Sequence, residues 1–322
     1  MTISLPTTDK LILSARPPKQ AVDPRRPYAF LVEKECQPSG RVDDVAVLFL
    51  TNQECPFRCL MCDLWKHTTD EPVPAGAIPE QIDFALRQLP AAQHIKLYNS
   101  GNFFDPAAIP PHDYADIAGR VKRFETVIVE NHPLMCGERV GSFLDCLVRT
   151  GTKARLEVAM GLETIHPRVL PMLNKRMTTE GFRRACDYLR SLDVAIRAFV
   201  LLRPPTLSEQ EGLDWALRSI EFAFQCGVST VSVIPTRAGN GIMEQLQNQG
   251  LFAPPSFESL ETVLELGLQL NRGRVFVDLW EADSLVVRSE QFVSRLERLR
   301  QMNLCQQVLP RTEGPQPFEL GR

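Results

Sequence analysis

From Val45 onward the chain alternates short apolar runs with longer amphipathic stretches. "VAVLFLT" (45–51), "HIKLYNSG" (94–101), "ETVIVEN" (125–131), "ARLEVAMGLE" (154–163), "VAIRAFVLL" (194–202) and "VSTVSVIP" (228–235) read as six strands. The stretches between them read as helices, among them "PEQIDFALRQL", "TEGFRRACDYLRSL" and "EGLDWALRSIEFAFQ". Pro79 suits a first helical turn, and Gly227 is placed to stop the last of these helices. Strands alternating with helices are βαβ units, whose right-handed crossovers build a parallel sheet. Six units are too few for a closed eight-stranded barrel. They predict an open, partial barrel or a doubly wound sheet, with ligands at the carboxyl ends of the strands in either case.

The flanks differ in pattern. Residues 1–43 are rich in Pro, Lys and Arg ("SARPPKQAVDPRRP") without sustained periodicity, which predicts a mostly irregular extension, packed on a neighbouring surface or mobile. After about residue 240, a strand-like "RVFVDLW" (274–280) lies between two helical patterns, "FESLETVLELGLQL" and "SEQFVSRLERLRQM". The expected organisation is therefore an extension over 1–43, a barrel over 44–240 and a small α/β region over 241–322. No internal repeat is visible.

Composition narrows the function classes. Of 322 residues 44% are hydrophobic and 23% charged, an ordinary globular balance. A net charge of -3 argues against a protein that coats nucleic acid through overall basicity, and DNA is not an expected partner. The first twenty residues lack the charged start and apolar core of a signal peptide, and no apolar run approaches the ~20 residues of a membrane span. The expectation is a soluble cytoplasmic protein, where nine cysteines suggest core residues or metal ligands more than disulfides.

Three of those cysteines stand apart. "TNQECPFRCLMCDLW" places Cys55, Cys59 and Cys62 within eight residues, directly after the first strand, in a polar, turn-like segment. Cys146, Cys186 and Cys226 read as core. Structural zinc would need a fourth ligand such as Cys36, His67 or Cys136, and such sites usually pair two ligand knuckles. An iron–sulfur cluster fits better: three thiolates from one loop leave one iron free, and an open coordination position marks a reactive site.

"CPFRCLMC" resembles the C-x3-C-x2-C signature of the radical S-adenosylmethionine (SAM) enzymes, which follows the first strand of a partial (β/α)6 TIM-type barrel. The resemblance implies an α/β fold of that kind, a [4Fe-4S] cluster on Cys55, Cys59 and Cys62, and S-adenosylmethionine on the open iron. It implies reductive cleavage of SAM to methionine and a 5′-deoxyadenosyl radical, with electrons from a flavodoxin- or ferredoxin-type donor. Met61 stands where the family often carries an aromatic residue near adenine. "NSGN" ends the second strand, and its Ser100, Gly101 and Asn102 match a motif whose backbone grips the SAM amino group. In "EVAMGLETIHPRVLPMLNKRMTTEGF" (157–182), Glu163 matches a ribose-binding position and Lys175 one that meets the SAM carboxylate. Pro235, in "VIPTR", falls near adenine by the same analogy.

Glu130 and His132 close the third strand and Arg203 the fifth, which makes them candidates for a polar substrate's pocket. Over residues 44–237 the sequence is most similar to the branch that groups elongator-type proteins and methylthiotransferases with the radical SAM enzyme of archaeosine biosynthesis. That similarity points to a modified nucleoside or a tRNA base as substrate. Two other readings stand beside it: a radical SAM enzyme acting on a small polar metabolite or a peptide, and a non-catalytic metal- or RNA-binding module.

Overall fold

The computed structural model describes residues 8–280, 282 and 290–311. In chain order the elements are α1 (Asp9–Ala15), β1 (Ala29–Cys36), β2 (Val42–Phe49), α2 (Ala77–Leu86), β3 (His94–Tyr98), α3 (Tyr114–Val121) and β4 (Thr126–Asn131). Then come α4 (Glu138–Arg149), β5 (Arg155–Glu163), α5 (Val169–Met172), α6 (Thr179–Ser191), β6 (Ala195–Leu202), α7 (Glu209–Gln225) and β7 (Thr230–Pro235). The last described elements are α8 (Ile242–Asn248), α9 (Phe257–Gln269), β8 (Arg274–Val277) and α10 (Glu290–Cys305). One sheet holds all eight strands in sequence order; β2 to β8 run parallel and β1 pairs antiparallel with β2.

The six expected strands are all present, as β2 to β7, with the expected helices between them. Pro79 lies in the first turn of α2, and Gly227 follows α7 at φ 87°, a left-handed conformation that glycine adopts without strain. Ser208 and Glu211 cap α7 reciprocally, and Thr178 caps α6.

Two findings extend the expected sheet. The stretch read as irregular is so over 16–28, but residues 29–36 form β1. "RVFVDLW" supplies β8 over Arg274–Val277, so the sheet continues past residue 240 into the C-terminal region. The helix expected from Ser289 is described from Glu290 as α10; residues 1–7, 281, 283–289 and 312–322 lie outside the described residues.

Side-chain alternation shows how the sheet curls. One face, with Leu48, Leu97, Val129, Val158, Ala198, Val231 and Val275, packs into the main apolar core under the helices. The other face carries charge. Lys96 of β3 pairs with Glu35 and Glu33 of β1 (2.5 and 2.6 Å), and Arg197 of β6 pairs with Glu35 and with Glu157 of β5 (2.5 and 2.6 Å). Arg274 of β8 donates to the Cys36 carbonyl of β1 (2.7 Å), joining the two edge strands. Side chains of strands one, three, five, six and eight meet only if the sheet closes on itself into a partial barrel. Glu35, Lys96, Glu157 and Arg197 are buried, so paired charges, three acidic and three basic with Glu33 and Arg274, form the barrel floor.

Above that floor the inner face opens. Phe49, Tyr98, Glu130, Phe199, Ile234 and Asp278, near or just past the strand ends, are each partly exposed while their neighbours on the helix side are buried. These residues mark a chamber that faces the carboxyl ends of the strands.

Candidate active site

The chain between Thr51 and Asp63 forms no helix or strand of its own beyond a single bridge from Gln53 to Thr69. Its shape is set by neighbours, chiefly three asparagines. Asn102, after β3, donates to Cys55 Sγ (3.1 Å). Asn174, after α5, donates to the Arg58 carbonyl (2.7 Å). Asn240, before α8, donates to the carbonyls of Leu60 and Cys62 (2.7 and 3.1 Å). Each holds a different part of the loop, so the three cysteines sit at the barrel mouth as free thiols. Of the three, the sequence motifs point to Asn102 alone. Asn240 had a local signal, since it stands in the turn-forming "GNG".

Burial raises all three thiols: Cys59 is pushed up to about 11, and Cys55 and Cys62 also lie above the ordinary value. The ammonium of Lys175 acts in the opposite direction on Cys55 and Cys59, which puts a cation beside the thiol cluster.

Ser100 and Gly101 are seated against this loop. A Cβ on Gly101 would lie 3.4 Å from the Cys55 Cβ, in van der Waals contact, so this turn packs directly on the first cysteine. Ser100 takes φ 52°, a left-handed conformation unusual for a residue with a side chain. Glu130 supports this turn from β4, accepting the Asn99 and Gly101 N–H groups (2.6 and 3.2 Å). Burial pushes its carboxyl up to about 7 against those donors.

Glu163 and Lys175 come together as an ion pair at 2.8 Å, both buried. Glu163 stands in a bulge of the β5–β6 pairing at φ 64°. Any side chain at Gly161 would collide with both groups, so this glycine makes room for the pair. One Lys175 N–H and one Glu163 oxygen serve the pair, which leaves further donors and an acceptor for a ligand. Met61 is half-buried against a small apolar core with Leu60, Leu173, Leu201 and Met243, and Pro235 ends β7 as a buried residue.

His132 and Arg203 are differently engaged. His132 stacks on Phe57 of the cysteine loop (3.8 Å, 12°), accepts the Leu134 N–H at Nδ1 and donates from Nε2 to the Lys175 carbonyl. Burial, then the Lys175 charge, lowers it to about 3, so the ring is neutral. It braces the loop with both nitrogens engaged. Arg203 donates to Glu209 and to the Pro254 carbonyl, tying the chain after β6 to α7. Neither side chain is directed at the chamber by these contacts.

The ligands a zinc site would borrow have other surroundings. His67 stacks on Tyr28 (4.5 Å), Cys136 lies beside Met160 and Asn131, and Cys36 belongs to β1 at the barrel floor. Among the described residues no three His, Cys, Asp or Glu side chains converge as for a single metal ion. Soft thiols on one loop, with a glycine closely backing Cys55 and a cation alongside, fit a thiolate-held cluster.

Comparison with known proteins bears on the fold. No family model matches the chain. An uncharacterized protein of Methanocaldococcus jannaschii is 21% identical over 77% of this chain and 71% of its own. The archaeosine synthase subunit beta of Methanosarcina acetivorans is 26% identical over 64% of this chain and 60% of its own. The solved structure of Methanocaldococcus infernus Elp3, with residues 1–46 deleted, superposes with a TM-score of 0.51 at 15% identity, over 69% of this chain and 57% of that one. The partial barrel is therefore a fold this chain shares with that Elp3 structure. The sequence relatives bear out the similarity to the archaeosine branch. The chain spans less than two thirds of the archaeosine synthase subunit and of Elp3. Among the described residues no helix is long and apolar enough to cross a membrane.

Proposed function

We propose that this chain is a radical SAM enzyme, with Cys55, Cys59 and Cys62 holding a [4Fe-4S] cluster whose remaining iron takes S-adenosylmethionine. The observation that carries the reading is the cysteine loop itself: three free thiols at a barrel mouth, clamped by three asparagines, with no fourth ligand beside them among the described residues. Bound there, the cluster and SAM would supply one-electron reductive cleavage to methionine and a 5′-deoxyadenosyl radical that removes hydrogen from a substrate.

The chain's own residues have distinct tasks on this reading. Asn102 donates to the Cys55 sulfur and so stabilises its thiolate. Ser100, Gly101 and Asn102 offer backbone to the SAM amino group, and Glu130 keeps their turn in shape. Glu163 accepts the ribose hydroxyls and Lys175 meets the carboxylate, each with the capacity left over from their own pair. Met61 and Pro235 flank adenine. Phe49, Tyr98 and Phe199 wall the chamber beyond, with ring centroids 6.2 and 6.3 Å apart, and keep water from a reactive intermediate. A wall of three aromatic rings suits a flat ring, which supports a modified nucleoside or tRNA base over an aliphatic metabolite.

Anaerobic reconstitution with iron and sulfide, followed by SAM and dithionite, should give a brown protein that releases 5′-deoxyadenosine. A colourless, zinc-binding protein without that product would overturn the assignment. For the substrate, bulk tRNA should bind more tightly than to an unrelated acidic protein; equal binding removes tRNA and leaves the free nucleoside.

A further inference from the structure

The segment before β1 surrounds the cysteine loop. Arg16 pairs with Glu54, the residue before Cys55 (2.7 Å), and its guanidinium lies 4.5 Å over the ring of Trp65. Trp65 in turn donates from Nε1 to the Cys62 carbonyl (3.2 Å). One side chain therefore grips the loop on both sides of the triplet. Lys19 adds ion pairs to Glu54 and Asp70 (2.8 and 2.7 Å), and Gln20 donates its N–H to the Lys66 carbonyl. At the start of the segment, Asp9 accepts from Asn174 (2.8 Å) and pairs with Arg176, while Ile12 is buried beside Leu60 and Leu173. A side chain at Gly241 would collide with the Ala15 carbonyl, so the end of α1 is pressed against the turn that carries Asn240. At its far end, Tyr28 shares a hydrogen bond with Ser100 (2.9 Å) and stacks on His67.

We infer that residues 9–28 are a strap that positions the site, with Arg16 setting the cysteine loop and Tyr28 the serine–glycine turn. The inference rests on the radical SAM reading for its purpose but not for its geometry. A loop without secondary structure adopts one shape only when outside contacts outweigh its conformational entropy. The barrel contributes the three asparagines, and the strap contributes the charged and aromatic contacts. Both side chains of the Arg16–Glu54 pair are mostly shielded, at 9 and 13% exposure. Deleting Arg16 therefore costs more than the pair's net worth: it leaves the Glu54 carboxylate to Lys19 and Arg58 and the Trp65 ring uncovered. Remove it and the loop opens locally while the barrel stays folded.

Alkylation of the metal-free protein, read cysteine by cysteine by mass spectrometry, tests this without a cluster. Arg16→Ala should speed labelling of Cys55 and Cys62 by at least about tenfold, the factor for a loss of about 1.4 kcal/mol in local opening. Labelling of Cys186, fully buried between α6 and the core, should not change. Arg16→Lys should recover most of the protection, because an ammonium still reaches Glu54. Tyr28→Phe should leave labelling unchanged but weaken SAM binding to the reconstituted protein. Unchanged triplet labelling in Arg16→Ala, or a parallel rise at Cys186, would overturn the strap. If reconstitution yields no cluster while Arg16→Ala behaves as expected, the cofactor assignment fails and the strap stands.

Discussion

At the scale of single residues, the Glu163–Lys175 pair is the most exacting feature. Two buried charges 2.8 Å apart, beside a glycine that makes room for them, are stable only together. Lys175→Met would leave the Glu163 carboxylate buried and unpaired, at a cost of about 3 kcal/mol in urea unfolding. The double change Glu163→Leu, Lys175→Met should recover part of that loss, whereas a single change costing under about 0.5 kcal/mol would show the pair to be unimportant. Both residues were legible in the sequence because they stand at fixed places in one motif. What each one touches was not, since their pairing depends on a bulge at the end of β5. Glu130, His132 and Arg203 teach the same point. A polar residue at a strand end is visible in sequence, but whether it faces a ligand or a neighbouring loop depends on partners far along the chain. His132 meets Phe57 and Lys175; Arg203 meets Pro254.

Among the elements, β2 to β7 follow from their apolar runs because strands covered on one face by helices must be apolar. β1 escaped that reading for a physical reason. Its inward positions are Leu31, Glu33 and Glu35, and the two glutamates answer Lys96 and Arg197 across the barrel, so no apolar alternation marks it. The charged floor makes a prediction on pH. Burial raises the Glu35 carboxyl, but Arg197 and Lys96 outweigh it and hold the group well below its usual value. Above about pH 4.5 the carboxylate is ionised folded or unfolded, and the network contributes fully. As the pH falls below that value the unfolded chain takes up the proton first, so stability should decline. Thermal unfolding from pH 7 to 3 should show this decline, and Glu35→Gln should start less stable and fall less steeply. Parallel slopes for the two proteins would mean that the floor carries no linked proton.

For the whole molecule, the strands, helices and loops agree on one site. The barrel opens at the ends of its parallel strands, the cysteine loop covers that opening, and contacts from β3, α5, α8 and the N-terminal segment all converge on the loop. The fold is shared with proteins such as the archaeal Elp3, while the strap contacts are written in this chain's own residues. The central claim is that three cysteines leave one coordination position for a cofactor. Electron paramagnetic resonance of the reconstituted, dithionite-reduced protein tests it most directly. The wild type should give a [4Fe-4S] signal whose shape changes when SAM is added, Cys186→Ala should behave likewise, and Cys59→Ala should give no such signal. A signal unaltered by SAM, or one that persists in Cys59→Ala, would contradict the claim.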